Sequence, residues 1–75
     1  MKTVKYGKVH KAIMLKCGKT LIDVQSMDTA DQEIFIEKEL TPFLNSEIYA
    51  TAEAADQLVD MIRYWKVGQT EESYV

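Results

Sequence analysis

Cysteine, histidine and proline occur once each in the 75 residues, and glycine three times. A disulfide needs a second cysteine, and a zinc site needs clustered Cys, His or carboxylate ligands, so neither staple is available. No metal and no cofactor are expected. Gly7, Gly18 and Gly68 are isolated from one another, which excludes a glycine-rich phosphate cradle. Arginine, the usual residue for bidentate recognition of phosphates and bases, is present only as Arg63. The apolar runs fall far short of the roughly 18 to 20 residues of a membrane helix, so a soluble chain with no membrane partner is expected. Met1-Lys2-Thr3-Val4-Lys5 is not followed by the apolar stretch of a secretory signal, and an unpaired cysteine suits a reducing compartment. A cytoplasmic location follows as an expectation.

What is present is a mildly acidic chain, 47% apolar with a formal net charge of −3. A chain of this length forms one domain at most and buries only about 60% of the surface its unfolded form exposes. The domain is expected over residues 1–67, with a frayed tail over 68–75 where two acids and several hydroxyls follow Gly68 without periodicity.

Two runs rich in β-favouring residues, from Val9 to Cys17 and from Thr20 to Ser26, flank Gly18-Lys19. Gly at the first central position of a two-residue loop supplies the positive φ of a type II′ turn, so the stretch reads as a β-hairpin. With Cys17 opposite Thr20, Leu15 meets Ile22 and Ile13 meets Val24 on one apolar face. The other face carries His10, Ala12, Met14, Lys16, Leu21, Asp23 and Met27. After a polar connection over Asp28 to Gln32, the alternation in Glu33-Ile34-Phe35-Ile36-Glu37-Lys38 predicts a third strand that stops near Pro42. Glu47-Ile48-Tyr49 is a short candidate fourth strand.

A helix is expected from Thr51 to Val67. Ala54, Ala55, Leu58, Met61, Ile62 and Trp65 recur at three- and four-residue spacing, with Glu53, Asp56, Gln57, Asp60 and Arg63 on the other side. Thr51 suits the N-cap and Gly68 the stop. The expected fold is therefore α+β: a small antiparallel β-meander of three to four strands with one C-terminal amphipathic helix packed on one face. The second sheet face is left for solvent, for the chain itself or for another molecule.

Catalytic equipment is sparse. His10 is the only imidazole available to activate Cys17; on one strand the two differ in parity and lie roughly 23 Å apart, which excludes a dyad in this reading. Carboxylate pairs such as Glu37 and Glu39, or Asp56 and Asp60, read as solvated groups, since nothing builds the apolar pocket that would split their pKa values. No enzyme activity and no catalytic residue are expected.

Charge is segregated. Lys2, Lys5, Lys8, Lys11, Lys16 and Lys19 precede the first acid, and every acid lies beyond residue 20. Cross-strand pairing with the acids and protection of a sheet edge account for these lysines structurally. The functional alternative is a nucleic-acid-binding module using Lys2, Lys5, Lys8, Lys11 and His10, with Tyr6 and His10 stacking on bases. The leading expectation is a protein-binding surface on the second sheet face, formed by Met14, Lys16, Leu21, Asp23, Phe35 and Glu37, where flexible apolar groups mix with charges. By size and lack of catalytic equipment the chain resembles, at the level of class and without a shared motif, the small accessory proteins that phages and mobile elements use to block a host enzyme or defence complex. That implies an inhibitor or modulator acting by surface occlusion on another protein. A homodimeric structural subunit is the third expectation.

Overall fold

A computed structural model describes residues 5–64 and 71–72. The chain is helical where a meander was expected. Helix α1 spans Lys8–Cys17, α2 Leu21–Gln25 and α3 Thr29–Phe35; a π turn over Ile36–Leu40 then runs directly into α4, Thr41–Leu44, and α5 spans Tyr49–Tyr64. The one extended pairing among the described residues is a two-residue parallel bridge, β1 (Lys5–Tyr6) with β2 (Glu71–Glu72). The rest of the tail expected over residues 68–75, and Trp65 to Val67 of the expected helix, lie outside the described residues.

The hairpin expectation fails at a feature correctly sensed. Gly18 does take a positive φ, 74°, but as the left-handed residue that ends α1. Its N–H donates to the Leu15 carbonyl at 3.0 Å and the Lys19 N–H reaches back to Met14 at 3.3 Å, the paired bonds of a Schellman cap. Thr20, expected opposite Cys17 in a strand, instead caps α2. Its hydroxyl accepts from the Asp23 N–H at 3.1 Å while the Asp23 carboxylate accepts from the Thr20 N–H at 3.3 Å, a reciprocal capping box.

Burial decides for helix. His10, Ile13, Met14, Leu21 and Val24 follow one another at helical spacing and all are buried. Putting β-branched Ile13 and Val24 into a helix costs at most about 0.7 kcal/mol each, whereas burying each such side chain stabilises by roughly 1.5–3 kcal/mol. In the same way the alternation of the expected third strand dissolves: Phe35 and Ile36 both turn inward with Leu40, and Ile34 is left 51% exposed.

The π turn has an identifiable cause. In a continuous α-helix, Pro42 would offer no N–H to the Lys38 carbonyl and its ring would press on it. One added residue in the turn relieves this: the Thr41 N–H donates to the Ile36 carbonyl, which also accepts from the Thr41 hydroxyl at 3.3 Å. Pro42 then falls in the first turn of α4, where a missing donor costs nothing.

The core gathers on α5. Ala54, Ala55, Leu58, Val59, Met61 and Ile62 face Ile13 and Met14 of α1, Leu21 and Val24 of α2, and Phe35, Ile36 and Leu40 of the bent helix. Helix α5 begins two residues before the expected start, with Ile48 at its head: the Ile48 N–H donates to the Ser46 hydroxyl at 3.1 Å, and its carbonyl accepts from Ala52 at 3.0 Å. Glu47-Ile48-Tyr49 is thus a helix entry, not a fourth strand. Polar ties lock the packing. The Gln25 side-chain amide donates to the Met61 carbonyl at 3.2 Å, and Gln32 donates to the last carbonyls of α2, Val24 and Gln25, at 3.0 and 3.1 Å. Arg63 grips Glu33 through two bonds of 2.8 and 2.7 Å.

Gly18→Ala should lose about 1–2 kcal/mol in urea denaturation with the m-value unchanged, because a Cβ there meets no neighbour and only the left-handed backbone is penalised. Glu33 is held below its ordinary carboxylate value by the Arg63 hydrogen bond. Its contribution is therefore present above the unfolded-state pKa and lost as the pH falls through the folded one. Glu33→Gln should lower the urea midpoint slightly at neutral pH and not at about pH 3, with the neutral-pH difference shrinking in high salt.

Candidate functional site

Once the meander is replaced by helices, the face that was to unite the six expected contact residues no longer exists. Met14, Leu21 and Phe35 are core residues. Lys16, Asp23 and Glu37 are exposed, but on three different elements, and the Asp23 carboxylate is engaged in the α2 capping box.

The expected nucleic-acid set separates as well. Lys2 lies outside the described residues, and Lys5 sits in β1. Lys8 and Lys11 are exposed on the outer face of α1 with Lys16, beside Leu15, which is 79% exposed. Among the described residues Lys8, Lys16 and Lys19 make no ion pair, so the cross-strand pairing expected of them is not formed. His10, cast as a base-stacking ring, is buried with Tyr6 packed 5.9 Å from it, centre to centre. Its Nδ1 accepts from the Gly7 N–H at 3.0 Å, so Nε2 carries the proton and donates to the Gln57 Oε1 at 2.7 Å. Both ring nitrogens are thereby committed to holding the start of α1 against α5.

A different set of residues converges where α1 ends beside the bent helix. A groove of about 290 Å³ is lined by the apolar side chains of Met27, Ile34 and Phe35 together with Cys17. Lys19 and Lys38 stand at its rim with Asp31 and Glu39. Three features of the chain build it. The Schellman cap swings Lys19 away from the α1 axis; Asp31, Ile34, Phe35, Lys38 and Glu39 recur at i, i+3, i+4, i+7 and i+8; and the last two of these stand within the π turn. Only Phe35 of this set belonged to the expected contact residues. The i, i+3, i+4, i+7 spacing from Asp31 to Lys38 was the signal that could have found it, had the stretch been read as helix.

The Cys17 thiol points at the Glu39 carbonyl oxygen, 4.0 Å away, and burial, followed by the Glu39 carboxylate, raises its pKa above the ordinary thiol value. It is a neutral thiol with no base beside it among the described residues, the opposite of an activated nucleophile. No cluster of three metal-ligating side chains is found among the described residues. No helix among them is long and apolar enough to cross a membrane.

Comparison with known proteins returns no match: no family model, no curated protein and no solved structure corresponds to the chain. The functional reading rests on the groove itself.

Cys17 supplies a direct check of the groove's electrostatics. At neutral pH it should alkylate with iodoacetamide more slowly than a free cysteine, and Glu39→Gln should speed the reaction by removing the charge that disfavours the thiolate. Rates are read by mass spectrometry across a pH series.

Proposed function

We propose that the protein is a non-catalytic protein-binding module that modulates a partner by covering part of its surface, and that the groove beside the π turn is its contact site. One observation carries this reading: a groove with an apolar lining and a half-exposed isoleucine also presents two exposed lysines and two exposed acids that make no ion pairs among the described residues. An apolar centre with a polar rim of both signs is the anatomy of a protein interface. A phosphate-binding surface would carry one sign of charge, and Asp31 and Glu39 would repel the ligand. The expected role as an inhibitor or modulator acting by occlusion is retained within this proposal.

The outer face of α1 favours a second reading, nucleic-acid binding, because its lysines have no acid among them. Tyr6 and His10, the aromatic half of that expectation, are buried and weigh against it.

Capture from lysate by the full chain separates the two. Ile34→Asp should remove a bound protein that survives nuclease and high salt, while Lys8→Glu with Lys16→Glu should leave it in place. Nucleic acid released by salt, insensitive to Ile34→Asp and lost in the double lysine variant, would replace the proposal with the second reading.

A further inference from the structure

We infer that the groove's partner is a second copy of this chain, docked antiparallel about a two-fold axis that passes between Ile34 and Phe35. The inference rests on the groove being the protein-binding site. Asp31 and Lys38 are seven residues apart, about two helical turns, and both line the groove. Their midpoint falls between Ile34 and Phe35. A two-fold axis there sets Asp31 opposite Lys38 of the second copy, Lys38 opposite the other copy's Asp31, and the two Ile34 side chains against each other across the centre. An isologous contact requires this self-complementarity.

Electroneutrality points the same way. A surface that meets its own copy must not carry net charge, or it repels itself. The outer face of α1 is cationic and the chain as a whole is acidic, but the groove rim balances Lys19 and Lys38 against Asp31 and Glu39. Asp31 and Lys38 make no ion pair among the described residues, which leaves both available across the axis. One helical stripe is smaller than the roughly 800 Å² per partner of a stable interface, so the dimer is weak and concentration-dependent.

The test is sedimentation equilibrium on the full chain up to about 1 mM, where a contact with a Kd of roughly 100 µM is mostly formed. The wild type should dimerise. Asp31→Lys or Lys38→Asp alone juxtaposes like charges twice and should weaken the dimer at least tenfold, as should Ile34→Asp. Mixing the Asp31→Lys chain with the Lys38→Asp chain should restore a heterodimer, since every charged contact is then opposite in sign. A variant that had merely lost its fold could not be rescued in this way. A wild type that stays monomeric, or a dimer indifferent to both reversals, overturns the inference. If a monomeric wild type nevertheless captures another protein that Ile34→Asp loses, the groove remains a protein-binding site and only its assignment to a second copy falls. If Ile34→Asp changes neither dimerisation nor capture, both readings fall together.

Discussion

Everything in this fold is held by one face of α5. Leu58, Met61 and Ala55 are fully sequestered there, and α1, α2, α3, the π turn and α4 each pack against it. A domain this small has no second core to fall back on, so loss of that stripe would leave the five preceding helical pieces without a common support. Their lengths make the dependence acute. Helix α2 has 5 residues and α4 has 4, far below the length at which a helix is stable alone. Tertiary burial, not propensity, keeps them helical. Ala54 and Ala55, small and buried, share the core with the larger Leu58 and Met61.

The polar devices all serve that face by fixing where each short piece meets it. His10 and Gln57 pin the start of α1, Gln25 pins α2 to the Met61 carbonyl, and Arg63 with Glu33 joins the end of α5 to α3. The His10 and Gln25 ties are both part-buried, so removing one partner would leave the other's polar atoms unsatisfied. The Arg63 pair is exposed and screened, so it guides orientation more than it stabilises.

How much could be read in advance follows from the same dependence. The stripe of α5 was legible because 16 residues give several turns of periodicity, enough to distinguish 3.6 from 2. In α1, α2 and α3 the windows are short, and Val9, Ile13, Ile22, Val24, Ile34 and Ile36 all favour strand. Local preference therefore pointed one way and the packing demanded by α5 the other. The stop signals were sensed but assigned to the wrong context: Gly18 needs its left-handed φ in a hairpin and in a helix cap alike, and Pro42 ends a strand or distorts a helix. One discriminating signal was present and missed, Thr20 with Asp23 three residues on, a helix start that no hairpin would require. Met14, Leu21 and Phe35 were then misplaced together, because in a strand they alternate outward and in a helix they turn inward.

The candidate site was illegible for a further reason: it exists only in the helical reading. Asp31, Ile34, Phe35, Lys38 and Glu39 share one face at helical spacing, whereas a strand scatters them to both sides. Two lysines and two acids set the charge balance at zero. In a chain whose first 20 residues carry only lysine charges and whose remainder is acidic overall, Lys19 beside Asp31 and Glu39 is a junction of the two regions. A purely cationic or purely acidic surface attracts ligands over a distance but specifies them poorly. A neutral rim of fixed alternating sign around an apolar floor does the reverse, attracting little from afar and selecting strongly on contact by the misplaced charges it would impose on a wrong partner.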